Sequence, residues 1–278
     1  MSRRNNLERL GAPHPDAPTP PTTEATDLFA FVNPTEFVEL PSQGLHYPEG
    51  HPLHNQTVIE IKHMTAKEED ILTSDALLKN ELAIDRLLDS VIIDSNIKVG
   101  DLLLGDKTAI LIATRITGFG PHYDVTAKCP SCNKESEYTF DLAELKPDNK
   151  EMDESVTAEG DGEFSFLLPV SKVNIHVRLL TSRDEKRIAK LMAPDKDTAS
   201  PITGLLKSII VQANEHTNPA LLHKFIESMP LKDVKHLREI YDTIKPDLDL
   251  RFDINCPLCH EDGKVGMPMT AAFFWPNA

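Results

Sequence analysis

Four cysteines, and no others in 278 residues, stand as two matching brackets: Cys129-Pro130-Ser131-Cys132 and Cys256-Pro257-Leu258-Cys259. A CxxC turn presents two thiolates from one tight bend, and two such knuckles supply the four soft ligands of a closed tetrahedral zinc site. The pattern assigns Cys129, Cys132, Cys256 and Cys259 as ligands of one structural Zn2+. Four thiolates leave no position for water, so the open coordination that catalytic zinc needs is excluded. Apolar and polar residues alternate before each knuckle, Tyr123 to Ala127 and Arg251 to Ile254. That alternation predicts zinc-ribbon hairpins, whereas a thioredoxin-like redox pair belongs at a helix start. Two separate ions, or one ion shared between chains, would use the same residues. His122 and His260 flank a complete ligand set and read as surface residues.

Other chemistry is not legible. Gly100 to Thr108 approaches a phosphate-binding loop, but Asp106 separates Gly105 from Lys107, and Leu102 to Leu104 fill the turn whose amides would cradle phosphate. Gly105-Asp106 reads instead as a turn and helix cap. There is no HExxH, no GxSxG and no GxGxxG after a strand. The acidic run Lys67 to Asp70 lies on consecutive helical positions, which face different ways, and reads as the solvated front of a helix. The expected protein is not an enzyme.

The elements that would carry the knuckles occur twice. Ile59 to Glu69 aligns without a gap on Ile175 to Glu185, each reading as a strand followed by a capped helix. Thr65 with Glu68, and Thr181 with Asp184, stand at N-cap and N3. Ile84, Leu87, Leu88, Ser90, Val91 and Ile92 find counterparts in Ile202, Leu205, Leu206, Ser208, Ile209 and Ile210. A third helix follows in each half, near Asp106 to Thr117 and Asp233 to Ile244. The predicted fold is α+β, an internal duplication of a strand-helix-helix-helix-strand-knuckle-strand unit, with two CPxC knuckles closing a zinc-ribbon-like centre. An approximate two-fold axis would bring the knuckles together.

Around the repeats the expected organisation is a disordered Pro-rich tail over 1–34 and an extended strap over 35–56. A first repeat over 57–145, an acidic linker over 146–172, and a second repeat with an aromatic C-terminal tail over 173–278 complete it. The apolar island Asp27 to Val32 reads equally as a docking peptide or an edge strand. Ala271 to Pro276, with the lone Trp275, is expected to pack on its own domain. Lys and Arg total 29 against 44 Asp and Glu, a net charge of -15, and a basic stripe for nucleic acid is lacking. No run reaches the roughly 18 apolar residues of a membrane span, and Met1 to Asn6 lacks a signal peptide's apolar core. The expected partners are proteins, with no nucleic acid and no membrane. Paired thiols point to a reducing cytosol.

The chain resembles the T4-type baseplate protein family of contractile-tailed bacteriophages. The resemblance rests on Leu40 to Gly50, Met64 to Thr73, Asp85 to Leu88, and the first knuckle with Phe140-Asp141-Leu142. It covers about 36 to 145 best. It implies a structural or assembly component of the tail baseplate or hub, assembled in the host cytoplasm, located in the virion and binding other tail proteins in a symmetric multi-subunit assembly. It also implies that Pro41, Gly44, Tyr47 and Pro48 form a rigid strap. The rival reading is a zinc-ribbon adaptor acting on transcription or replication machinery.

Overall fold

The computed structural model describes residues 33–74, 82–148, 150–192, 201–268 and 273–274. The apolar island at 27–32, the rest of the Pro-rich tail before it, and Trp275 lie outside them. Residues from Thr35 onward cluster as one unit.

The first passage begins with β1 (Thr35–Glu39) and β2 (Val58–Lys62), an antiparallel pair with Val38 opposite Ile59. Alternation of Ile59 and Ile61 buries one face of β2. Then come α1 (Ala66–Thr73), α2 (Ala83–Val91), α3 (Leu104–Phe119), and the hairpin of β3 (His122–Lys128) with β4 (Glu135–Asp141). The Thr65 N–H and hydroxyl both donate to Glu68 Oε2, at 2.9 and 2.5 Å, which fixes the start of α1. Ile92, just after α2, bridges to Ile61.

The second passage starts with β5 (Thr157–Gly160), β6 (Glu163–Leu167) and β7 (Asn174–Arg178). It continues with α4 (Ser182–Met192), α5 (Pro201–Ile209), β8 (Ile210–Ala213), α6 (Pro219–Ser228) and α7 (Leu231–Ile244). It closes with the hairpin of β9 (Arg251–Asn255) and β10 (Asp262–Gly266). Strands β5 to β8 form one antiparallel sheet in chain order. At the start of α4, the Thr181 N–H and hydroxyl donate to Asp184 Oδ2 at 3.1 and 3.0 Å. Ile210 pairs with Val177.

Four expectations are corrected. Glu68, read as part of a solvated helix front, is fully buried and accepts from Lys62, Thr65 and Ser90. The acidic stretch 146–172 is not merely a linker, because β5 and β6 lie within it and Phe164 and Phe166 are buried in the core. Residues 40–56 are not an extended strap but a loop of successive turns, with Gln43 and Gly44 at φ 50° and 71°. The second passage also carries β8 and α6 beyond the expected unit. Ile210 continues the helical spacing of α5 but is captured by the β7 edge, and α6 starts on the Asn218 cap with Pro219 at N1.

A buried carboxylate anchors the loop in each passage. Asp106, third residue of α3, accepts from the Ser42 N–H (2.9 Å), the Ser42 hydroxyl (2.6 Å) and the Tyr47 hydroxyl (2.8 Å). Asp233, third residue of α7, accepts from the N–H groups of Val170 (2.8 Å) and Ser171 (2.9 Å). Burial raises Asp106 above the usual carboxylate range, with the Ser42 and Tyr47 bonds opposing it. Burial also works against Asp233, but its two amide donors outweigh it and lower that carboxyl. Both acids sit where the helix dipole favours negative charge.

The passages share one hydrophobic core running from Val38 to Phe274 and including Leu87, Leu88, Ile110, Val177 and Leu237. Each such side chain, fully buried, contributes about 1.5–3 kcal/mol. Main-chain bonds also cross between them, Leu104 N–H to Leu180 C=O (3.2 Å) and Ser182 N–H to Leu102 C=O (2.9 Å), and Asp249 N–H to Lys146 C=O (2.9 Å) ties the intervening segment to the second passage. Phe273 packs edge-on against Tyr123, so this part of the C-terminal segment is core.

Candidate metal centre

Each knuckle forms the tip of a hairpin. Pairing of β3 with β4 ends at Lys128 and Glu135, leaving six residues for the first tip. Inside it the Cys129 N–H donates to Lys134 C=O (3.0 Å), and the Asn133 N–H donates to Cys129 C=O (2.9 Å). In the second tip Cys256 donates to Glu261 (3.0 Å) and His260 donates to Cys256 (2.8 Å). Asn133 and His260 both take left-handed conformations, φ 57° and 59°. Asn and His are among the few side chains that tolerate that region. The two tips therefore share a backbone solution although their sequences agree only at Cys, Pro and Cys.

The tips face each other. Cys129 Sγ lies 3.7 Å from Cys259 Sγ, and Cys132 Sγ lies 3.8 Å from Cys256 Sγ. All four sulfurs fall within 4.8 Å of one another, and this is the one His/Cys/Asp/Glu grouping with metal-binding geometry among the described residues. All four are free thiols, since a disulfide would hold its sulfurs at about 2.05 Å. A tetrahedron with metal–sulfur bonds of about 2.3 Å has edges of about 3.8 Å. The donor set therefore fits a tetrahedral thiolate-bound ion.

The electrostatics point the same way. The Cys256 thiol is drawn down to about 6 by the amides of Leu258 and Cys259, and the Cys132 amide lowers Cys129. Against the Glu261 amide, burial and hydrogen bonds from the neighbouring sulfurs push Cys259 up to about 12. Proton sharing of this kind follows from crowding four acidic sulfurs together, and a divalent cation relieves it. Cys129 and Cys256 are buried, and Cys132 and Cys259 partly so.

Aromatic packing brings the hairpins together. Phe140 on β4 stacks on Phe252 on β9, ring centroids 4.4 Å apart and planes 11° from parallel. Gly263 on β10 lets Pro130 approach, because a Cβ there would lie 2.9 Å from the proline ring. The hydroxyls of Tyr138 and Ser136 are buried without hydrogen-bond partners. Burial, and next the Cys256 sulfur beside it, raise Tyr138.

All four cysteines singled out from the sequence thus converge, and His122 and His260 are exposed as expected. The Gly100 to Thr108 segment forms no phosphate cradle, since Asp106 is occupied by Ser42 and Tyr47. Sequence reasoning missed Phe140 with Phe252 and the two orphaned hydroxyls. Their only signal is alternation along β4 and β9, which does not reveal that the two hairpins meet.

Residues 35–275 match the family model described as T4 bacteriophage base plate protein. The chain belongs to this family. The match runs through both passages and both knuckles. No curated protein and no solved structure matches. Family membership gives the chain a structural role in the phage baseplate and a place in the virion tail, consistent with a protein that is not an enzyme. Among the described residues no helix is long and apolar enough to cross a membrane.

Proposed function

We propose that this baseplate family member is a structural or assembly component of the contractile-tail baseplate or its hub. In this reading it is an internally duplicated block whose halves are held in one orientation by a single zinc ion, and it works by binding other tail proteins. The observation that carries the reading is the spacing of the four sulfurs, close to the edge of a thiolate tetrahedron. Cys129, Cys132, Cys256 and Cys259 would hold the ion, which supplies a cross-link and no catalysis.

The duplication draws support from the way the sulfurs pair. A two-fold axis exchanging the knuckles exchanges Cys129 with Cys256 and Cys132 with Cys259, so the first-to-second distances should be equal, and they are 3.7 and 3.8 Å. Matching details elsewhere support it too: the Thr65 and Thr181 caps, the Ile61–Ile92 and Val177–Ile210 pairs, and the carboxylates of Asp106 and Asp233.

Metal analysis of the purified chain tests the centre, with one zinc per chain and loss of thermal stability on chelation as the expected result. A folded, metal-free protein with four accessible thiols would overturn it. Mass spectrometry of purified tails and of tail assembly intermediates tests the place of action. Presence in finished tails marks a structural component, presence only in intermediates marks an assembly factor, and absence from both rejects the role.

A further inference from the structure

We propose that the outer edge of β1 is a docking site for an extended segment of another protein, one carrying an apolar residue flanked at alternate positions by Lys or Arg. The argument starts from a difference between the two passages. Register equates β1 with β6, since Val38 faces Ile59 as Phe166 faces Ile175. Strand β6 is paired on both sides, with β7 on one and β5 on the other. Among the described residues β1 is paired on one side only, with β2.

The missing strand leaves a physical trace. Phe37 occupies the position of Ser165, yet Phe37 is 64 % exposed whereas Ser165, covered by β5, is 7 % exposed. An exposed aromatic on an open strand edge is a template for pairing with a further strand. The main chain is oriented for it. The Leu40 N–H donates to Thr57 C=O, on the β2 side. By the two-residue period, the amides of Val38 and Glu36 also face β2, and those of Thr35, Phe37 and Glu39 face outward.

A two-residue hairpin turn of the kind that joins β5 to β6 is not open to the residues at the start of β1. In the second passage β5 returns into β6 through Asp161-Gly162, both with positive φ (49° and 74°), a type I′ turn. The equivalent positions before β1 are Asn33 and Pro34. Proline fixes φ near -65°, which denies that turn.

Charge selects the partner. Glu39, two residues along the strand, and Glu60, directly opposite Phe37, share the face of the exposed ring, and neither enters an ion pair among the described residues. A second copy of a chain of net charge -15 would bring more negative charge to an acidic edge. A segment with basic residues two positions to either side of an apolar one, on the same face of the strand, would neutralise it.

The inference rests on the reading that this protein works by binding neighbours, but its test uses the isolated full chain. Absence of the protein from tails would therefore sink that reading without touching this one. The probe is a synthetic seven-residue peptide, Thr-Lys-Thr-Val-Thr-Lys-Thr, whose lysines stand two positions to either side of the valine and so on its face of the strand, followed by fluorescence polarisation and by hydrogen exchange. We expect binding that protects the amides of Thr35, Phe37 and Glu39. Phe37→Pro, which removes an outward amide and the ring while sparing the β2 ladder, should weaken it about tenfold or more, and Phe37→Thr should weaken it less. A peptide with glutamate in place of lysine should lose binding. Lack of binding, unchanged affinity in Phe37→Pro, or protection confined to other strands would each overturn the proposal. So would a stable dimer of the chain that Phe37→Pro dissociates. Because the protection pattern is read on the unsubstituted chain, the test stands even if a variant misfolds.

Discussion

At the scale of single residues, buried carboxylates and thiols carry the testable chemistry. Burial alone would raise Glu68, but hydrogen bonds from Ser90, Thr65 and Lys62 outweigh it and draw the group from an ordinary 4.5 to about 2. A carboxylate whose folded value lies below its unfolded one stabilises the fold above the unfolded value, and that stabilisation fades as pH falls through the folded value. Glu68→Gln should therefore cost about 2 kcal/mol at neutral pH, and the deficit should shrink between pH 4.5 and about 2. Denaturant melts of both proteins across that range check it, and a constant deficit would contradict the assignment. For the metal centre, Cys259→Ser should abolish stoichiometric zinc and loosen the junction of the hairpins while leaving the helices of the first passage in place. Structural zinc is worth on the order of 10 kcal/mol in small peptides, but here the shared core holds much of the fold. The expected loss is about 4 kcal/mol, or a melting temperature lower by about 10 °C. Zinc analysis and calorimetry read both effects.

At the scale of elements, α3 and α7 are held by what their first turns touch. Gly105, second residue of α3, lies against the Pro246 carbonyl so closely that a methyl group would overlap it. Gly105→Ala should cost about 3 kcal/mol, because backbone, not a movable side chain, must yield. Asp233→Ala strips two amide bonds from the loop at Val170 and Ser171 and should cost about 2 kcal/mol. Hydrogen exchange should then show faster exchange at those two amides and unchanged exchange in α2. Strands and helices were mostly legible at this scale. Alternation marks β2 and β7, and Thr65 and Thr181 mark the starts of α1 and α4. The signal for α6 stands in Asn218-Pro219, a cap residue followed by proline at the first helical position. The short strands β5 and β6 were hidden in acidic composition, because pairing with β7, and not local preference, makes them strands.

At the scale of the whole molecule, the four-sulfur cluster and the shared core tie the same parts of the chain together. Chelation of the purified protein should lower its melting temperature and expose four thiols to a thiol reagent, while far-ultraviolet dichroism keeps most of its helical signal because the common core remains. Complete unfolding on chelation would mean that the core contributes less than its extent implies. Chain chemistry alone was enough to pick out the cysteines, to exclude a phosphate loop, and to suggest two similar passages, because thiolate spacing, a misplaced aspartate and repeated caps are local facts. Folding in three dimensions settled that sulfurs 130 and 124 positions apart come within 3.8 Å. It also turned residues 40–56 into a turn-rich loop anchored on Asp106, and left β1, among the described residues, paired on one side where β6 is paired on both. Such outcomes depend on which distant surfaces are complementary, and no window of neighbouring residues contains that information.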